Sequence, residues 1–224
     1  MLILCSPHNP IDRVWRKEEL CKIHEICLRN KILVLSDEIH SDIVYSGFKH
    51  TPFPSIAQEV AENTIYCIAP GKTFNIAGLK LSIVHIENDE KRRQFIETCL
   101  AMSLDIKNTF GIEAFTAAYT KEAENWLAEL LCYLEENRNF LSSSLNAIDG
   151  VQMTMAEGTF LAWVDFTKTG FSDKDLMSKI IIEKGVVCVP GTWFGEGGSG
   201  HLRLNIGCPK KTIESALERI KSVL

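Results

Sequence analysis

Four polar side chains stand where a packed core would not place them. Asn9, Asp37 and Lys72 each follow an apolar run, and Arg203 interrupts a further run near the C-terminus. A lysine just past the end of a strand can act as a nucleophilic amine that forms a Schiff base with a carbonyl compound. If the first three strands are parallel neighbours, the first three side chains converge on one sheet edge, where ligands bind in open α/β sheets.

Each of these residues also has a structural interpretation. Lys72 could be a solvated surface lysine, and Asn9 could serve only as a turn former. Asp37 could cap the next short helix through its carboxylate. Arg203 could be a charge at the rim of the fold with a buried stem. All four interpretations must hold together for the site to be absent.

The elements that position these residues follow from the apolar pattern. Continuous apolar runs predict strands at 2–5, 32–35, 65–69 and 81–86, and helical spacing predicts a helix around 20–27. Strand, helix and strand at this spacing form a βαβ unit, typical of parallel sheets that are covered on both faces.

From residue 88 the pattern changes to helices and shorter strands. Helices are predicted at 91–102 and 112–119, then a long helix that ends at Asp149-Gly150. The remaining predictions are strands at 151–155, 160–166, 186–189 and 202–206, a helix at 173–184, and a closing helix after Pro209. This part is predicted to be a smaller α+β domain joined through the long helix.

Composition excludes several classes of partner. The chain has 224 residues, 46% of them hydrophobic, and a formal net charge of -5 without a basic stripe, which argues against nucleic acid. No apolar run approaches the length of a membrane span, so no membrane partner is expected. Eight cysteines occur singly without a CxxC pair, which predicts reduced core thiols in a cytoplasmic protein and no metal site.

A lysine, an acid, an amide and an arginine in these roles fit pyridoxal phosphate better than any other cofactor. This cofactor needs a lysine for its aldehyde and an acid that keeps its pyridine nitrogen protonated. It also needs a donor to its phenolic oxygen, and an arginine suits a substrate carboxylate.

The sequence resembles fold-type I pyridoxal-phosphate enzymes, and within them the MalY/PatB branch of class I/II aminotransferases. The stretches that carry the resemblance are Ser6-Pro7-His8-Asn9-Pro10, Ser36-Asp37-Glu38-Ile39-His40-Ser41-Asp42, Lys72-Thr73-Phe74-Asn75-Ile76-Ala77-Gly78-Leu79 and Pro190-Gly191-Thr192-Trp193-Phe194-Gly195. The resemblance implies an α/β fold of the PLP-dependent transferase type. Residues 1–122 would be part of the large cofactor-binding domain, with a parallel or mixed sheet. Residues 123–224 would be the small α+β domain, including the long connecting helix.

The resemblance also implies roles for individual residues. Lys72 resembles the Schiff-base lysine and Asp37 the partner of the pyridinium nitrogen, while Asn9 would donate to the phenolic oxygen. His40 stands where ordinary aminotransferases have a tyrosine, and a histidine there resembles the lyase branch. Arg203 would bind the α-carboxylate of the substrate.

Several positions depart from the family pattern. Lys80 stands where many relatives place a phosphate-binding arginine, and it could serve there as a point charge. Asp12 replaces a glycine of the family's Asn-Pro-x-Gly turn, although aspartate can adopt a positive φ. Gly71 replaces a common serine, and Ala69 lacks a hydroxyl that many relatives offer to the phosphate.

The chain resembles the second half of longer family members, without the glycine-rich phosphate turn. We therefore expect a fragment of a larger fold, a truncated gene product, or a half that needs a complementing chain.

The function implied by the resemblance is that of a pyridoxal 5′-phosphate enzyme acting on a small amino-acid substrate. A C–S β-lyase, which would release a thiol, pyruvate and ammonia from cystathionine or a cysteine conjugate, is favoured through His40. The alternatives are a class I/II aminotransferase and a non-catalytic remnant. A dinucleotide-binding module is disfavoured because no GxGxxG follows a strand. The expected partner is a second copy of the chain, as in a homodimer, or a complementing chain.

Overall fold

The structure is a computed structural model that describes residues 1–224, and it separates into two compact units. The first unit comprises residues 1–8 and 14–129, and the second comprises residues 9–13 and 130–224. The predicted division into domains 1–122 and 123–224 stays a prediction.

The first unit is built on a four-stranded sheet with the strands in sequence order. Its strands are β1 (Leu2–Cys5), β2 (Val34–Asp37), β3 (Thr64–Ile68) and β4 (Ile83–Ile86). The first three strands are parallel, and β4 runs antiparallel to β3. The predicted parallel arrangement of the first three strands is thus confirmed, so their carboxyl ends share one edge.

The helices of the first unit are α1 (Lys17–Arg29), α2 (Gln58–Glu62), α3 (Pro70–Thr73), α4 (Asp89–Ala101) and α5 (Thr109–Ala118). Side chains of α1 and α2 pack on one face of the sheet. Leu20 and Cys27 of α1 pack against Leu4 and Val34 of the sheet. Ile3 points to the opposite face and is 66% exposed, whereas its unbroken apolar run predicted burial. The reason is that the packed core of this unit forms on the α1 side of the sheet.

Helix α6 (Lys121–Asn146) continues into the second unit, whose sheet is antiparallel. Its strands, in the order β5-β6-β8-β7, are β5 (Gln152–Met153), β6 (Leu161–Asp165), β7 (Val189–Pro190) and β8 (His201–Asn205). The helices are α7 (Asp173–Asp175), which continues as a π-helix over Leu176–Glu183, and α8 (Lys210–Lys221). Leu141, Leu145, Phe166, Leu202 and Ile220 lie in the core between them.

The structure bears on two predictions made from composition, one for the cysteines and one for membrane spans. Cys27 is buried, but Cys132 is exposed and the other six cysteines are partly buried, so the prediction of core thiols is wrong for most of them. Cys188 and Cys208 nevertheless pack against the core of the second unit, and all eight cysteines are free thiols. No helix combines the length and apolarity needed to cross a membrane.

Candidate active site

Asp37 and Lys72 lie at the same edge of the first sheet. Asp37 is the last residue of β2 and is the register partner of Cys67 in β3. After β3, Pro70 begins the single-turn helix α3, which carries Lys72. Burial, followed by the charges of Asp37 and Glu38, raises the pKa of the Cys67 thiol. The carboxyl ends of β2 and β3 therefore carry an acid and an amine, as the sequence predicted.

Lys72 opens into a cavity of about 310 Å³ at this edge. Lys72 and Lys80 line it together with Ile39, Ala69, Gly71, Ala77, Leu81 and Ser82. Both lysines are exposed. Lys80 has a left-handed backbone (φ 51°), which ends the short 3₁₀ helix Ala77–Leu79 and turns the chain toward β4. The cavity therefore offers two primary amines on mostly small and apolar walls.

A side-chain bond connects the Lys72 segment with the segment that follows Asp37. The buried Thr73 hydroxyl donates to Asp42 Oδ2 at 2.8 Å. Phe74 stacks on Trp126 with ring centroids 5.6 Å apart. Sequence reasoning gave these residues no role, although Asp42 and Thr73 both lie within the quoted motifs.

Asp37 itself makes a local bond. Its Oδ1 accepts from the Ile39 backbone N–H at 3.3 Å, so the carboxylate supports the turn after β2. The sequence left open that Asp37 caps a helix. The carboxylate does accept from a backbone N–H, but in a turn rather than at the start of a helix. His40, in the same turn, is 4% exposed, and its backbone carbonyl accepts from the Ile43 N–H at 3.0 Å.

The residue after Asp37 anchors the end of β2. Glu38 is fully buried, and its Oε1 accepts from the Ser36 hydroxyl at 2.7 Å and the Phe53 N–H at 2.9 Å. Its Oε2 lies 2.5 Å from His50 Nε2. Tyr66 also hydrogen-bonds to Glu38, and its pKa is raised by burial and then by the nearby carboxylates. Four polar groups thus hold one buried carboxylate next to Asp37.

In the second unit, Arg203 and Asn9 are joined directly. Arg203 lies on β8, paired with Trp163 of β6 and Val189 of β7. Its Nη1 donates to Asn9 Oδ1 at 2.8 Å, and its guanidinium lies 4.9 Å from the centroid of the Phe194 ring. Burial lowers the pKa of Arg203. The guanidinium is therefore half-enclosed and keeps N–H donors available for a ligand.

Asp12, in the same unit, is a buried carboxyl group. It is 1% exposed and has a positive φ of 60°, the conformation that a glycine would favour. Its Oδ1 accepts from the Thr159 hydroxyl at 2.6 Å, while Oδ2 is buried without a hydrogen-bond partner. Burial raises the pKa of Asp12 to about 8, against the opposing effects of Thr159 and the Arg203 charge.

The predicted site residues are thus found in two groups. The first unit holds Asp37, His40, Lys72 and Lys80, and the second holds Asn9 and Arg203. Lys72 and Lys80 share a cavity, and Asn9 and Arg203 share a hydrogen bond. Their assembly into one site stays a prediction.

The resemblance to fold-type I pyridoxal-phosphate enzymes predicted a parallel sheet edge that carries an acid and a lysine, and a separate α+β unit. The structure has both features. The chain matches the family described as aminotransferase class I and II over residues 1–220. The chain belongs to this family, which confirms the resemblance predicted from the motifs.

Particular relatives narrow the comparison. The chain is 42% identical to cystathionine beta-lyase PatB of Bacillus subtilis over 228 residues, which cover 100% of the chain and 58% of PatB. It is 42% identical, with a TM-score of 0.95, to a PLP-bound putative aminotransferase from Clostridium difficile, over 98% of this chain and 57% of that one. Cystalysin from Treponema denticola, whose structure contains pyridoxal 5′-phosphate, gives 36% identity and a TM-score of 0.95 over 99% and 56% of the two chains.

The chain thus spans somewhat more than half the length of the relatives that it matches. The predicted fold class, a partial fold-type I sheet with a smaller α+β unit, is confirmed by these structural neighbours.

Proposed function

We propose that the chain carries the lysine, acid and substrate-binding side of a pyridoxal 5′-phosphate enzyme that cleaves C–S bonds of amino acids. The observation that carries the proposal is the placement of Lys72 in a cavity after β3, beside the strand that ends in Asp37. The relatives named above are a cystathionine β-lyase and PLP-containing proteins, which supports this chemistry over others.

The residues fit this cofactor by the chemistry of their donors. Lys72 supplies a primary amine for an aldehyde, and Asp37 supplies a carboxylate for a pyridinium proton. Asn9 accepts from Arg203 through Oδ1, which leaves its amide NH₂ to donate to a phenolic oxygen. Lys80 lines the Lys72 cavity and supplies a positive charge for a phosphate.

Pyridoxal phosphate, when bound, supplies an aldehyde that condenses with amines and a ring that withdraws electrons from the substrate Cα. Lys72 would hold the cofactor through its amine and, when free, would accept the substrate Cα proton as general base. Asp37 would hold a proton on the ring nitrogen. Arg203 binds the α-carboxylate with its free N–H groups, and His40 occupies the position that distinguishes the lyase branch.

The second candidate function is an aminotransferase, because one structural neighbour carries that name. It would use the same residues, and Lys72 would then donate the proton that it accepted, so that the amino group is transferred and no β-substituent departs. Pyruvate release from cystathionine indicates the lyase, whereas amino-group exchange between an amino acid and a keto acid indicates the aminotransferase.

Covalent attachment of the cofactor tests the proposal. The purified chain is incubated with pyridoxal phosphate, the visible absorption is recorded, and the complex is reduced with borohydride for peptide mass analysis. We expect the label on the peptide that contains Lys72, and its loss in Lys72→Arg, which keeps the charge but not the primary amine. Lys31→Arg, at an exposed lysine outside the cavity, is the control and should label normally. Equal labelling of Lys72→Arg and the unchanged chain would contradict the proposal.

The partner, a second copy or a complementing chain, also stays a prediction. Apolar side chains exposed on and after α4 support association, since contiguous exposed apolar surface marks interaction sites. They include Leu100, Leu104, Ile106 and Phe110, exposed by 56%, 63%, 79% and 76%. The molar mass measured by light scattering, with Ile106→Lys as the variant, would show whether two copies associate.

A further inference from the structure

Arg203 and Asp12 belong to one polar cluster in the second unit. The turn that carries Asn9 also carries Asp12, whose backbone carbonyl accepts from the N–H groups of Glu157 and Gly158 at 2.9 and 3.1 Å. The Asp12 side chain is bonded to Thr159. The turn is therefore fixed on the loop before β6, while Asn9 at its start binds Arg203 on β8.

The Asp12 carboxyl is poorly suited to carry a negative charge in this place. It is almost fully buried, and one of its oxygens has no partner. Removing a carboxylate from water without paired donors strongly favours the neutral form. The raised pKa of about 8 agrees with this environment.

Several charged groups lie on the elements around Asp12. They are Arg203 on β8, Glu157 in the loop before β6, Arg13 in the same turn, and Arg138 with its partner Glu135 on α6. Arg138 Nη1 is engaged with the Ala156 carbonyl, and its Nη2 with Glu135. Arg203 is the charged group whose attraction acts on Asp12, and it does so without forming an ion pair.

We propose that Asp12 sets the charge that Arg203 presents to a carboxylate ligand, an inference that rests on the substrate-binding role proposed above for Arg203. Neutral Asp12 leaves the full positive field of the guanidinium to the ligand. Ionised Asp12 offsets that field and competes electrostatically with the ligand. Carboxylate binding and proton binding at Asp12 are then coupled, and each favours the other by the same factor.

The consequence is a substrate subsite that weakens in alkaline solution. A unit charge at short range in a partly buried environment changes binding by about tenfold. The effect appears across the titration of Asp12, around pH 8, and the guanidinium itself stays protonated throughout that range.

Acetate serves as the probe because it presents a carboxylate and does not titrate in this range. The ¹³C-labelled full chain is titrated with acetate at about pH 6 and about pH 9.5, and the Arg203 Cζ resonance, which carries no exchangeable proton, is followed. We expect the dissociation constant to be about tenfold larger at the higher pH. In Asp12→Asn, which keeps an acceptor for Thr159, and in Asp12→Gly, which suits the positive φ, it should not change.

The outcomes separate the inference from the proposed function. An equal pH dependence in the unchanged chain and in Asp12→Asn would overturn the coupling while leaving Arg203 as a carboxylate site. A resonance that does not respond to acetate at about pH 6 in any of the three proteins would overturn the carboxylate role of Arg203, and the coupling with it. Lys72 labelling, measured separately, is unaffected by either result.

Discussion

Removal of the Glu38 carboxylate should destabilise the first unit more than any other single loss of charge in it. Glu38→Ala leaves four groups without their acceptor in a site that water does not reach: the Ser36 hydroxyl, the Phe53 N–H, His50 Nε2 and the Tyr66 hydroxyl. Each buried donor left unpaired costs about 1–3 kcal/mol. Several groups lose the same acceptor and their costs do not add fully, so we expect the free energy of unfolding to fall by about 3–5 kcal/mol.

Glu38→Gln separates the charge from the hydrogen bonds. The amide keeps one acceptor oxygen but turns an NH₂ group toward one of the former donors. We expect an intermediate loss of about 1–3 kcal/mol. Glu25→Ala, at an exposed position of α1, is the matched control and should stay within about 0.5 kcal/mol of the unchanged chain.

Native-state hydrogen exchange is the assay of choice, because the two units need not unfold together. Amides of β2 and β3 report the first unit, and the Phe53 amide reports the Glu38 bond itself. A loss below about 1 kcal/mol for Glu38→Ala, or exchange at Phe53 that does not accelerate, would refute the reasoning.

Three further predictions concern Asp12, Gly191 and Thr73. The Asp12 carboxyl has a pKa of about 8 in the folded chain, whereas its ordinary pKa, which applies to the unfolded chain, is 3.8. The folded chain therefore binds one more proton between these values, and its stability should fall as the pH rises from about 4 to about 8. Asp12→Asn should abolish this slope, which amounts to about 4 kcal/mol between pH 4 and pH 7 in urea titrations. Gly191→Ala should destabilise the second unit by at least about 1–3 kcal/mol in the same titrations, because the added methyl would overlap a backbone carbonyl. Gly78→Ala, with nothing within 4 Å of the added carbon, should be neutral. Thr73→Val should lower the rate of cofactor attachment at Lys72 while Thr73→Ser restores it, since only the hydroxyl bonds to Asp42.

The parallel pairing of the first strands and their shared carboxyl edge could be predicted because short apolar runs ending in polar residues carry that information. The predicted strand at 32–35 is shifted, however, and β2 spans Val34–Asp37. The sequence placed Ser36 and Asp37 in the turn after a strand, yet Ser36 is buried and pairs in the sheet with Leu4 and Tyr66. Its hydroxyl donates to Glu38. A polar residue whose hydrogen bonds are formed inside a strand cannot be recognised from the spacing of apolar residues.

The second unit shows the same limit. The strand predicted at 186–189 is reduced to Val189–Pro190, because Val186 packs into the core while Val187 is 90% exposed and the segment pairs only at its end. The bond between Asn9 and Arg203 joins residues 194 positions apart, and no spacing rule could have shown it.

Asp37 and Glu38, adjacent at the end of β2, have different roles. Side chains alternate across a strand, so Ser36 and Glu38 lie on one face and Asp37 lies on the other. The first face is occupied by a closed network with His50 and Phe53, which fixes the backbone. Asp37 keeps one local bond, to the Ile39 N–H, and its other oxygen is available to a ligand. Substitutions at 37 should therefore act on cofactor binding with little effect on stability, whereas those at 38 act on stability first and on binding through it.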